Sequence, residues 1–183
     1  MIKSRTAITL GVTLAISVSP GPVALARVRL MSLSEFVQDS EFIGVVRVAR
    51  IGVGIPFLKR RRATATILES WKGRASGSVT FRAAPTWTCD ISDAKQGEEV
   101  VVFIQGGELQ LAGRGRMPIF LREGRRLAAM WPDVRLPPGL ATEAGPEPQY
   151  DFIRGVGVDA LHAVVATLVS EKAETRWLEG GDG

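Results

Sequence analysis

One cysteine and one histidine are all that 183 residues offer of those two types, and much chemistry is excluded with them. The single thiol, Cys89, has no partner for an intrachain disulfide, so packing alone must hold the fold. A zinc site needs a cluster of Cys, His or carboxylate ligands, and Cys89 and His162 stand far apart in the chain. Asp90, Asp93, Glu98 and Glu99 lack the regular spacing of a calcium loop and read as turn-forming, solvated side chains. No nucleophile elbow or phosphate-cradling glycine pattern occurs. There is no internal repeat, and no cofactor is implied.

The N-terminal stretch has an export signature. Lys3 and Arg5 precede an uncharged apolar run at 7–18, Ser19-Pro20-Gly21-Pro22 breaks any helix, and Ala24-Leu25-Ala26 offers small residues for cleavage. The run falls short of the ~20 residues of a permanent span. No cysteine follows it to carry a lipid. The expectation is a signal peptide at 1–26 and a secreted or periplasmic chain beginning at Arg27, without a membrane span after processing. The competing reading is a retained anchor. Cleavage would remove two of the 23 basic side chains and none of the 19 acidic ones, so the net charge falls from +4 to +2.

The mature sequence is patterned mostly for strands. Ser32-Leu33-Ser34-Glu35 is a capping box, with Met31 and Phe36 placed as a hydrophobic staple, and predicts a short helix over 33–38. Residues 41–53 follow as a long strand, apolar on both faces in its first half, with Gly44 a candidate bulge. The segment 63–83 reads as two strands around a turn at Trp71-Lys72-Gly73, with Val79, Phe81 and Ala83 on one face. Val100 to Ile104 is apolar on both faces and belongs at the centre of a sheet. Strand fragments follow at 109–111 and 118–121, with a last strand at 126–131. Five prolines between 132 and 148 predict a linker at 132–149 without regular structure. A brief extended piece over 150–158 then leads to a helix capped by Asp159, with Leu161, Val164, Val165 and Leu168 at helical spacing. The domain plan is a signal peptide (1–26), a small β-barrel (27–131), the linker (132–149) and a C-terminal helical segment (150–183) docked on the barrel.

The order of a short helix, EFIGVVRVARI, a strand ending in ESWKG, SVTFRA, a loop cysteine, GEEVVVFI and GGELQLAG resembles the netrin module. That module is the OB-like barrel of the tissue inhibitors of metalloproteinases, and exported bacterial proteins share its outline. The resemblance covers roughly residues 32–121 and implies a mainly β, OB-like fold. The animal inhibitors bind the protease zinc through a cysteine at the mature N-terminus. Here that position is Arg27-Val28-Arg29, and the family disulfides are missing too. The fold expectation carries over; the inhibitor mechanism does not.

Three function classes are open to such a chain. The first is an exported, non-enzymatic binding module whose partner is a protein or an envelope component. Trp87, in a Pro/Thr loop, is its candidate contact, while Trp71, closing an apolar strand face, reads as core. The second is a polyanion-binding protein using Lys59, Arg60, Arg61 and Arg62 with Arg114, Arg116, Arg122, Arg125 and Arg126. An exported chain seldom meets nucleic acid, so an anionic envelope polymer or a lipid head group is the partner to expect. The third is a thiol enzyme with Cys89 as nucleophile and His162 as base. Asp90 and Asp93 beside Cys89 oppose a thiolate.

Overall fold

The computed structural model describes residues 30–52, 61–73, 77–83, 93–110, 113–146 and 152–179, with side chains described as far as 171. The stretch 1–26, expected to be a signal peptide, and Lys59, Arg60, Trp87 and Cys89 lie outside the described residues. The chain is mainly β, with two helices among the described residues. After the short strand β1 (Met31–Ser32) comes the helix α1 (Leu33–Asp39). Its capping box forms as the sequence dictates: the Ser32 hydroxyl accepts from the Glu35 amide at 3.1 Å, and the Ser32 amide donates to the Glu35 carboxylate at 2.7 Å. Met31 and Phe36 enter the same core. The other end of α1 is closed from outside: Lys72 Nζ donates to the carbonyls of Val37 (2.6 Å) and Gln38 (3.2 Å). The buried Gln110 amide donates to the Phe36 carbonyl at 3.0 Å and to Ser40 Oγ at 2.7 Å. Carbonyls that a helix leaves orphaned at its end are satisfied in this way.

The strands β2 (Phe42–Ile51), β3 (Arg62–Lys72), β4 (Ser78–Arg82), β5 (Glu99–Gln105), β6 (Glu108–Leu109), β7 (Arg116–Arg122) and β8 (Arg125–Met130) follow in order. β9 (Val134–Arg135), β10 (Thr142–Ala144), β11 (Arg154–Gly157) and α2 (Val158–Glu179) complete the chain. The main sheet runs β10-β11-β8-β7-β5-β2-β3-β4, with β6 paired to β5. β2 and β5 lie at its centre and are buried on both faces. Ile43, Val45, Val101 and Phe103 join α1, α2, β8 and β11 in one core. Phe42, Val46, Val48, Val100, Val102 and Ile104 join Ala63, Ala65 and Phe81 of β3 and β4 in the other. Alternation along the strand divides each between the two.

The second core exists because β3 and β4 curl over β2. The β2–β3 ladder slips register at three places, one of them between Ile43 and Gly44, and bulges of this kind increase twist and bend a strand. Gly44 is required at its slip, since a Cβ there would lie 2.2 Å from the Glu69 carbonyl oxygen. Arg62 then ties the curled layer to the β5–β6 turn, donating to Glu108 at 2.6 Å and to the Gly107 carbonyl at 2.8 Å.

Three expectations change. The barrel does not close by hydrogen bonds among the described residues: β4 pairs only with β3, and on the far side the sheet continues past β7 into β8, β11 and β10. The stretch 132–149 is not devoid of regular structure, because β9 and β10 fit between its prolines, and β10 extends the main sheet. The last helix begins at Val158, with Asp159 inside its first turn, where a carboxylate still complements the helix dipole. Leu161 and Val165 of α2 are fully buried in the first core. The His162 ring stacks on Trp71 of β3, centroids 4.9 Å apart and planes 11° apart, and Trp71 itself is buried in the first core.

Candidate ligand pocket at the end of strand β8

β8 ends on Met130, and the next four residues reverse the chain. Pro132 and Asp133 form the turn, closed by the Val134 amide on the Trp131 carbonyl at 3.3 Å. Proline at the first central position presets the φ that such a turn needs. The Asp133 carbonyl accepts the Met31 amide at 3.0 Å, and β1 pairs in parallel with β9, Met31 opposite Val134. That pairing brings Leu30 alongside Trp131.

Trp131 is held firmly at this corner. The Arg114 guanidinium sits 4.5 Å from the centre of its ring, and Arg114 Nε donates to Asp133 Oδ2 at 3.0 Å. Phe152 packs against the ring, centroids 5.8 Å apart. A cation–π contact of this kind contributes about 0.5–2 kcal/mol, more as water is excluded. Arg114 and Trp131 are both buried.

In front of this corner opens a pocket of about 330 Å³. Its apolar wall is Leu30, Met130, Trp131, Pro132, Val134 and Leu136. Met130, Trp131 and Val134 are buried and make the floor of the pocket at the edge of the first core, while Leu30, Pro132 and Leu136 are the apolar residues more open to solvent. Two cations complete the lining, Arg135 from β9 and Arg154 from β11. Both are exposed, and among the described residues neither has a hydrogen-bond or ion-pair partner. Among the described residues, none that lines the pocket carries a carboxylate, a thiol, a hydroxyl or an imidazole. What these residues offer is an apolar surface beside two guanidiniums, an arrangement that can hold a ligand.

The residues singled out by sequence go elsewhere. Arg116 is buried and donates to Glu98 at 2.7 Å. Arg114 serves Trp131 rather than the solvent. Arg122 donates to the carbonyls of Ala144 and Gly145 at 2.7 and 2.9 Å. Arg125 pairs with Glu143 at 2.6 Å. Arg126 pairs with Glu69 at 3.0 Å and lies 3.6 Å from Glu99, which also holds Arg47. Arg114, Arg116, Arg125 and Arg126 are thus engaged in ion pairs within the chain and Arg122 on backbone carbonyls. His162 is exposed and committed to its stack on Trp71. Among the described residues no group of three or more His, Cys, Asp or Glu is placed to hold a metal ion, and no helix is long and apolar enough to cross a membrane.

The pocket residues Trp131, Arg135 and Arg154 escape a sequence reading. The available signal is an aromatic residue closing a strand before a Pro-Asp turn, a counterpart of Trp71 before Lys72-Gly73. Comparison with protein-family models, with curated proteins and with solved structures finds no match for this chain.

Proposed function

We propose that the chain is an exported, non-enzymatic binding module on a netrin-like scaffold, and that its ligand site is the pocket at the end of β8. The observation that carries the reading is the lining itself: a pocket at the edge of the first core, faced by two arginines whose side chains have no partner among the described residues, with no acid, base or nucleophile among the described residues that line it. Ligand sites combine an apolar wall with a few placed polar groups and start at about 300 Å³. The export signature at 1–26 supports an envelope component as the ligand's source. Against the polyanion alternative stands the use of Arg62, Arg125 and Arg126 in intramolecular ion pairs. The thiol-enzyme alternative rests on Cys89 and is tested by Cys89→Ser, which on the binding-module reading leaves folding and ligand binding intact.

The test of the proposal is a backbone amide spectrum of the chain with and without a small-molecule extract of the producing cell's envelope. Shifts gathered at Leu30, Trp131, Val134, Arg135 and Arg154 are the expected result. Shifts that avoid these residues would remove the pocket from consideration.

A further inference from the structure

The pocket also constrains what can fill it. Resting on the binding-module reading, we propose that it takes a small amphipathic oxyanion: a short acyl or aryl body against Trp131, Met130 and Leu136, with its head group held by Arg135 and Arg154.

Three features support this class. The first is charge. Two guanidiniums line one small pocket, and no described lining residue carries a carboxylate to offset them. The planar donor fork of a guanidinium matches the paired oxygens of a carboxylate or phosphate. The second is the wall. Met130 is almost wholly buried in the first core, and Trp131 is fixed by Arg114 and Phe152. An apolar body seated there covers the core's edge against a surface already rigid, which lowers the ordering cost of binding. The third is size. A volume of about 330 Å³ lies at the low end of small-molecule sites, about 300–1,000 Å³, the scale of a short chain with a small head.

Carboxylate and phosphate heads share this chemistry, and the experiment separates them. The full chain is titrated calorimetrically with four probes of one tail length: octanoate, octyl phosphate, octylamine and octyl glucoside, all below micelle-forming concentrations. The Trp131 indole N–H signal, assigned by its loss in Trp131→Phe, reports the site. The inference expects octanoate or octyl phosphate to bind and to move that signal. It expects octylamine and octyl glucoside to bind about tenfold more weakly or worse. Arg135→Gln with Arg154→Gln should weaken the anionic probes by about tenfold or more at an unchanged melting temperature, since hydrogen bonds to charged groups are lost. Preference between the two anions identifies a carboxylate or a phosphate source. Equal binding of octyl glucoside, or full retention of anion binding in the double variant, overturns the oxyanion class while the pocket stands as a binding site. If no probe moves the Trp131 signal the class also falls; if the envelope extract is silent there as well, the binding-module reading falls with it.

Discussion

Arg116 and Glu98 meet at 2.7 Å with side chains only 5% and 15% exposed. Breaking such a pair by removing one partner leaves a buried charge uncompensated and costs about 3–5 kcal/mol, whereas replacing both by apolar groups is often neutral. Arg116→Met is therefore expected to lower the urea midpoint sharply, and Arg116→Met with Glu98→Leu to recover most of the loss. Equal destabilisation by the single and double variants would show that the pair is not what Arg116 contributes. Gly44→Ala tests a different constraint. The new Cβ would sit 2.2 Å from a backbone oxygen of β3, so the strand must shift. The expected cost is about 1–3 kcal/mol, or a melting temperature lower by roughly 2–4 °C per kcal/mol for a chain of this size. An unchanged melting temperature would mean that the β2–β3 slip adapts freely. The need for Gly44 was legible in the sequence, because a glycine inside an apolar strand marks a bulge or a close approach of backbone. The fate of Arg114 and Arg116 was not. A count of cations records charge but not partners, and Asp133 and Glu98 lie 19 and 18 positions away.

β5 is the element on which both cores depend. Val101 faces the helices and Val102 the curled β3–β4 layer, both without solvent exposure. Val101→Asp and Val102→Asp should each unfold the protein, because a buried unpaired carboxylate costs several kcal/mol against a total stability of about 5–15. Circular dichroism melts decide it: native-like melting of either variant would mean that its face of β5 is wet. This strand could be read directly from its run of β-branched residues, and α1 from its capping box, since both signals are local. β9 had no such signal. It is two residues long, lies among prolines, and is fixed by parallel pairing to β1, Met31 opposite Val134. A pattern two residues long carries no period. The pocket was hidden for a related reason: most of its described lining is the stretch 130–136, but Leu30 and Arg154 join it only once β1 has paired with β9 and β11 with β8.

At the scale of the whole molecule, the expected order of events is export, cleavage and folding. Cleavage after Ala26 predicts a mature chain starting at Arg27, and N-terminal sequencing of the fractionated protein checks it. A dominant species retaining Met1 or Ile2 would favour the anchor instead. The position of α2 has a consequence in time. Leu161 and Val165 complete the core that Ile43, Val45, Val101 and Phe103 begin, yet α2 follows β5 at a long distance in the chain. A chain delivered N-terminus first can pair β2 with β3 and β5 early, while the face meant for α2 stays uncovered until α2 emerges. Over that interval the nascent protein is expected to present an apolar sheet to its surroundings. Premature termination anywhere before Val158 should therefore direct the product to aggregates rather than to a shortened but folded form.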